Sequence, residues 1–225
     1  MKIKWGALVV DGRGKLGGHV ASQNKGGSYL RTKVTPSNPQ TSYQTSARAL
    51  FGAISQQWSG LTASVILAWN SAVAEWSKTN IFGDIKQPSG KALFQRLNNQ
   101  AQSAGYSPVT TPPAKLEMVE GTISQADIST GDSEIVLTDA YTGADARLMI
   151  FATPPLSAGT TFVKNQLRLI ATQLGSTYVP ADVFTGYADK FGVPANGDRI
   201  FLGVKYVLPN GQASPLQTVL ATVAT

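Results

Sequence analysis

The 225-residue chain has no cysteine and a single histidine. The first absence excludes disulfides and thiolate-ligated metals, so stability must come from packing or from assembly. A zinc site with one imidazole would need several carboxylates, an unusual set. A Ser-His-Asp triad needs its histidine in a rigid frame with an orienting carboxylate. His19 sits instead among glycines and reads as a surface or turn residue. Charge is also scarce. Only 14% of residues are Asp, Glu, Lys or Arg, and Ser, Thr, Gln, Asn and Gly take their place. That balance suits β-rich secreted or virion proteins more than cytosolic enzymes. No apolar run approaches the roughly 20 residues of a membrane span. The apolar patch between Lys4 and Asp11 is too short for the core of a signal peptide. The chain is therefore expected to be soluble and unprocessed, with no membrane partner and no cofactor.

The charge that is present is unevenly placed. Lys2, Lys4, Arg13, Lys15, Lys25, Arg31 and Lys33 are opposed only by Asp11 up to residue 33. This stretch holds the whole net charge of +6, and the rest of the chain is balanced. Such an arm is attracted to an acidic partner, whether nucleic acid or protein. It is not composed like a plain disordered tail. Ile3, Trp5, Leu8, Val9, Val10, Tyr29, Leu30 and Val34 favour strands, and the glycines between them mark turns or close backbone approach. Two or three short strands are expected, docking onto a partner rather than standing alone.

Gly12-Arg13-Gly14-Lys15-Leu16-Gly17 matches the dinucleotide pattern G-x-G-x-x-G. That chemistry needs a helix to begin there, so that its amides hold the pyrophosphate. Residues 18–27 have no helical apolar period and carry further glycines, so the match is discounted. The carboxylates Glu117, Glu120, Asp127, Asp132, Glu134, Asp139 and Asp145 lie in strand-and-turn sequence. They form no coherent acid–base pair of the glycosidase kind and no EF-hand spacing. No catalytic residue and no metal ligand is assigned, and the protein is expected not to be an enzyme.

After the turn-rich break Pro36–Gln40 the period becomes helical. Tyr43, Ala47, Leu50, Phe51, Ile54 and Trp58 recur at three- and four-residue steps. Thr41 or Ser42 is placed to cap this helix and Gly60 to end it. A second helix starts at Thr62, with Val65, Ala68, Trp69, Ala72, Val73 and Trp76 on one face, which predicts a helical hairpin. A third runs over Ser89–Ala104, with Gly105 just past its end. Trp58, Trp69 and Trp76 read either as core or as a contact face for a partner.

Ser107–Pro113 has the composition of a linker. Beyond it the chain reads as short strands near Leu116–Val119, Gly121–Ile128, Ser133–Leu137, Ala146–Ala152, Asn165–Thr172, Arg199–Leu208 and Ser214–Thr222, with a short helix at 180–187. The spacing suits a β-sandwich of the immunoglobulin or fibronectin type III class. Its clearest signal is the alternation Ile200, Leu202, Val204, Tyr206, Leu208 leading into the Asn210-Gly211 turn. The expected organisation is α+β: a basic Gly-rich β-rich arm (1–40), a helical hairpin or three-helix segment (41–106), a linker (107–114) and a β-sandwich (115–225).

Gly14–Val20, Gly26–Arg31, Pro36–Thr41, Ala47-Arg48, Trp58 and Trp69-Asn70 occur in an order that resembles a family of structural proteins from tailed phages of Bacteroidetes-type bacteria, the crAss-like phages among them. The resemblance covers residues 12–76 and brings no catalytic residues with it. It implies a virion structural protein assembled in the host cytoplasm, such as a capsid decoration or head fibre with an immunoglobulin-like module. The implied partners are other virion proteins and further copies of the chain. A neck or tail component, and a nucleic-acid binder using the basic arm, are the alternatives.

Overall fold

A computed structural model describes residues 1–6, 11–24, 26–118, 122–129, 135–138, 146–174, 178–179 and 182–223. The protein is α+β and falls into two compact units, 1–93 and 94–225. The units differ in charge. The first has eleven basic and three acidic side chains, a net +8, and the second has eight and ten, a net −2.

The first unit opens with a three-stranded antiparallel sheet of β1 (Gly14–Leu16), β2 (His19–Asn24) and β3 (Gly27–Thr32). Gly17 and Gly18 form the two-residue turn between β1 and β2, with Gly17 at φ +56°. The G-x-G-x-x-G match therefore lies in a hairpin and not at a helix start. The first three residues lie along β3: Met1 exchanges hydrogen bonds with Leu30, and the Ile3 amide donates to the Ser28 carbonyl at 3.1 Å.

Helix α1 (Ser42–Ser59) is capped as its sequence predicts. Thr41 Oγ1 accepts from the Gln44 amide at 3.3 Å, and Gly60 closes the last turn onto Gln56. Helix α2 (Ala63–Ala72) tightens into a 3₁₀ turn, Val73–Trp76. A short hairpin follows, β4 (Lys78–Thr79) and β5 (Ile85–Lys86), which the sequence reading had missed. Asn80 builds its turn. Its side-chain oxygen accepts from the Phe82 and Asp84 amides at 2.8 and 2.9 Å, and its Nδ2 donates to Asp84.

Helix α3 (Gly90–Ser103) crosses from the first unit into the second. Ser89 Oγ accepts from the Ala92 amide at its start. At its end Gly105, at φ +82°, lets the Gly105 and Tyr106 amides return to Gln102 and Ala101, a Schellman closure. The Arg147 guanidinium covers the next carbonyl, that of Ala104, at 2.6 Å, where positive charge suits a helix C-terminus.

Among the described residues, the rest of the second unit is built on one hydrogen-bonded sheet of seven strands. In chain order they are β6 (Thr122–Ile128), β7 (Ile135–Thr138), β8 (Arg147–Ala152), β9 (Arg168–Leu174), β10 (Tyr178–Val179), β11 (Ile200–Val207) and β12 (Gln217–Val223). In space they run β10-β7-β6-β12-β11-β8-β9, antiparallel except for β6 beside β12. The predicted strand near Leu116–Val119 does not form over 116–118, and Val119 lies outside the described residues. Alternate residues fill the core: Leu148, Ile150 and Ala152 from β8, and Ile200, Leu202, Val204 and Tyr206 from β11. Helix α4 (Asp182–Phe191) adds Val183 and Tyr187 at a four-residue step. It approaches β9 closely because Gly186 has no Cβ to strike the Ile170 carbonyl.

Candidate functional site

The basic residues of the N-terminal sheet are sorted by register. Lys15 pairs with Val20, and Val20 pairs with Arg31. Two residues along, Ser22 pairs with Tyr29, and Tyr29 bridges to Lys2. Directly opposed residues share a face, as do residues two apart on one strand. Lys2, Lys15 and Arg31 therefore stand on one face around Tyr29, with no acidic residue at any of these register positions. All three cations are exposed and Tyr29 is half-buried. His19 is exposed and lies on the opposite face, paired with Leu16 and Thr32.

The other predicted arm cations are placed differently. Arg13 is exposed but engaged: Nη2 donates to Gln23 at 2.9 Å and Nε pairs with Asp11 at 3.2 Å. Lys33 is exposed just past β3. Lys25 lies outside the described residues. Lys4 pairs with Asp84 at 3.2 Å and stands 5.2 Å from the centre of the Phe82 ring. The Asn80 amide, and then Lys4, hold the Asp84 carboxyl below its ordinary range. An open cleft of about 260 Å³ runs between the N-terminal strand and the β4–β5 turn, with Lys2, Lys4 and Lys86 on its walls against the single carboxylate Asp84. Lys78 and Lys86 are directly opposed across β4 and β5, an arrangement in which like charges repel. The first unit thus carries unbalanced positive charge at two places on its surface.

Of the three tryptophans of the helical segment, Trp69 is fully buried, Trp76 is 7% exposed and Trp58 is half-buried. Trp69 and Trp76 are interior residues in this chain. The exposed aromatics of α1 are Tyr43 and Phe51.

Among the acidic candidates, Glu117 is exposed and Asp127 is half-buried on β6. Glu120, Asp132, Glu134, Asp139 and Asp145 lie outside the described residues. Among the described residues no three His, Asp or Glu side chains gather as metal ligands do. No helix among them is long and apolar enough to cross a membrane. In the second unit an open cleft lies beside Arg147, whose guanidinium is already occupied by the Ala104 carbonyl and the Tyr106 ring at 4.4 Å.

The individual cations were visible in the sequence. Their common face was not, because it depends on the register of β1, β2 and β3 and on residues 1–3 joining the sheet.

No protein-family model and no curated protein matches the chain. A solved structure, "Bacillus amyloliquefaciens CBM33 in complex with Cu(I) after photoreduction", is 13% identical over 44% of this chain, with a TM-score of 0.28. The match spans 56% of that protein's length. A likeness that faint carries no argument about this chain.

Proposed function

We propose that the protein is a non-enzymatic structural component of a phage particle, a capsid decoration or head fibre. In this reading it docks on an acidic partner through its N-terminal sheet and carries its C-terminal strands as an immunoglobulin-like sandwich. The sequence resemblance over residues 12–76 supplies the setting. The observation that carries the docking mode is the shared face of Lys2, Lys15 and Arg31. Three cations on a sheet face with no acid at the intervening register positions favour an anionic partner. The sandwich reading draws support from strand order. β10-β7-β6 matches the E-B-A edge of such a fold, and β12-β11-β8 matches G-F-C. In this scheme β6 belongs to both layers, and the register shift between Ile123 and Gln125 supplies its bend.

The test is incorporation into particles. Lys15→Glu with Arg31→Glu should deplete the protein from gradient-purified particles while its fold, read by circular dichroism, is kept. Undiminished incorporation would overturn the docking mode. Mass spectrometry of the same particles gives the copy number. Parity with the major capsid protein fits a decoration or fibre, and a handful of copies fits a neck or tail component. Complete absence from particles removes the virion reading.

Tyr29 favours one second reading. An aromatic ring among cations on a sheet face is also how single-stranded nucleic acid is held, by stacking and phosphate contact. Binding to an oligonucleotide that falls steeply with salt, and weakens in Tyr29→Ala, would support it. Salt-independent or absent binding removes it.

A further inference from the structure

We propose that Asn196 is a site of spontaneous covalent modification, at which the folded chain converts the side-chain amide to a carboxylate. The sequence contains two Asn-Gly dipeptides, Asn196-Gly197 and Asn210-Gly211. In both, glycine leaves its own backbone nitrogen uncrowded for attack on the asparagine Cγ. The fold treats the two differently.

Asn196 and Gly197 are the central residues of a turn on the way from α4 to β11. The Asp198 amide donates across this turn to the Ala195 carbonyl at 3.0 Å, and Asp198 Oδ2 accepts from the Ala195 amide at 2.8 Å. Both bonds hold the flanks, and neither holds the central peptide. Asn196 and Gly197 are exposed. Among the described residues, the Asn196 side chain and the Gly197 amide have no hydrogen-bond partner. Gly197 stands at φ +87° with open space where a Cβ would be. The central peptide is therefore free to rotate while the bond across the turn stays made.

At Asn210-Gly211 both reacting groups are held. The Gly211 amide donates to the Leu208 carbonyl at 2.9 Å, and Asn210 Oδ1 accepts from the Gln212 amide at 3.0 Å. Gly211 is buried, and a Cβ on it would strike the Leu97 carbonyl. Attack there requires the turn to open first.

The reaction consumes only water. The Gly197 amide gives its proton to solvent base, and its nitrogen bonds to Asn196 Cγ as ammonia leaves with a proton from solvent. The five-membered imide then takes up water at either carbonyl. One product is aspartate. The other is isoaspartate, in which the backbone runs through the former side chain and gains a methylene. Either product sets a new carboxylate near Asp198 and takes the second unit from −2 to −3.

This assignment is independent of the particle reading and is tested on the purified full-length chain. The chain is aged at mildly alkaline pH, with and without denaturant, then digested briefly with trypsin and weighed by mass spectrometry. The two sites fall on separate peptides, Phe191–Arg199 and Tyr206–Thr225. In the folded chain the first peptide should exchange ammonia for water, faster as pH rises. The second should lag by roughly tenfold or more, because two hydrogen bonds must be given up first. In denaturant the two should convert at similar rates. Asn196→Gln, which would have to close a larger ring, should leave the first peptide unconverted. An intact Asn196 in the aged folded chain overturns the proposal. So does Asn210 keeping pace with it there, or a lag at Asn210 that persists in denaturant.

Discussion

Asn98 and Val109 hold each other by a two-way hydrogen bond. The Val109 amide donates to Asn98 Oδ1 at 2.7 Å, and Asn98 Nδ2 donates to the Val109 carbonyl at 3.0 Å. Asn98 is fully buried on α3, and its Nδ2 also reaches the Phe94 carbonyl at 3.1 Å. A buried side-chain amide thus does for the Pro-rich stretch what a neighbouring strand would do. Gln212 repeats the device further on, donating to the Ala114 carbonyl and accepting from the Leu116 amide. Removing the amide strands two backbone groups, so Asn98→Ala should cost about 3 kcal/mol in denaturant unfolding. Asn98→Asp sharpens the test. A carboxylate facing two carbonyls is disfavoured, so the introduced carboxyl has a raised folded pKa. That variant should gain stability as pH falls through this value, whereas Asn98→Ala should not follow that trend. If both variants unfold with the parent, the amide is not what holds the stretch.

Gly211 tests the final turn. Its φ is +78°, and a Cβ there would run into the Leu97 carbonyl of α3. Gly211→Ala meets both the left-handed backbone penalty and that overlap, and should cost about 2–4 kcal/mol. Gly159 has a similar φ, +91°, but open space around it. Gly159→Ala should therefore cost only the backbone share, about 1–2 kcal/mol. Equal losses at the two sites would show that the approach to α3 contributes nothing.

Local signals were legible and pairings were not. Thr41, Gly60 and Gly105 mark helix ends because capping is chemistry within a few residues of sequence. The alternation from Ile200 to Leu208 gives β11 for the same reason. The β4–β5 hairpin escaped notice because its strands are two residues long, and no alternation is readable over that length. Asn80, Gly83 and Asp84 were its only signal. The tryptophans were ambiguous, since spacing places Trp69 and Trp76 on a helix face without saying what covers it. The basic face lies furthest from the sequence. Lys2 and Arg31 meet only because residues 1–3 add to the edge of β3, and a shift of one residue would send Lys2 to the other side.

Tyr187 and Tyr206 should titrate late. Both phenols are pushed up to about 12, Tyr187 by burial and then by the charge of Asp198, Tyr206 by burial. Neither hydroxyl has a hydrogen-bond partner among the described residues. A raised folded pKa means that the stabilising difference is fully present below the ordinary tyrosine value near 10. It is lost as pH rises from there through about 12. Of the seven tyrosines, two should ionise only with loss of the β-sheet circular dichroism. Because each hydroxyl is buried without a described partner, Tyr206→Phe should leave stability within about 1 kcal/mol or raise it. Seven phenols ionising together near 10 in a folded protein would contradict this account.

Asp84 provides the acid-side counterpart. Its carboxyl is held below the ordinary 3.8, most by the Asn80 side chain and next by Lys4. A lowered folded pKa reverses the sign. The stabilising contribution is complete above 3.8 and disappears as pH falls through the lower folded value. The β4–β5 turn should therefore loosen only in strong acid, seen as lost protection of the Phe82 and Asp84 amides, which Asn80 Oδ1 holds. Carboxyl carbon shifts give the site-specific test. Lys4→Met should raise the Asp84 midpoint part of the way towards 3.8 and leave the turn amides protected. Asn80→Ala should raise it further and release both amides at neutral pH. If Lys4→Met has the larger effect, the ion pair rather than the asparagine dominates the turn, and the basic cleft beside it is held together chiefly by charge.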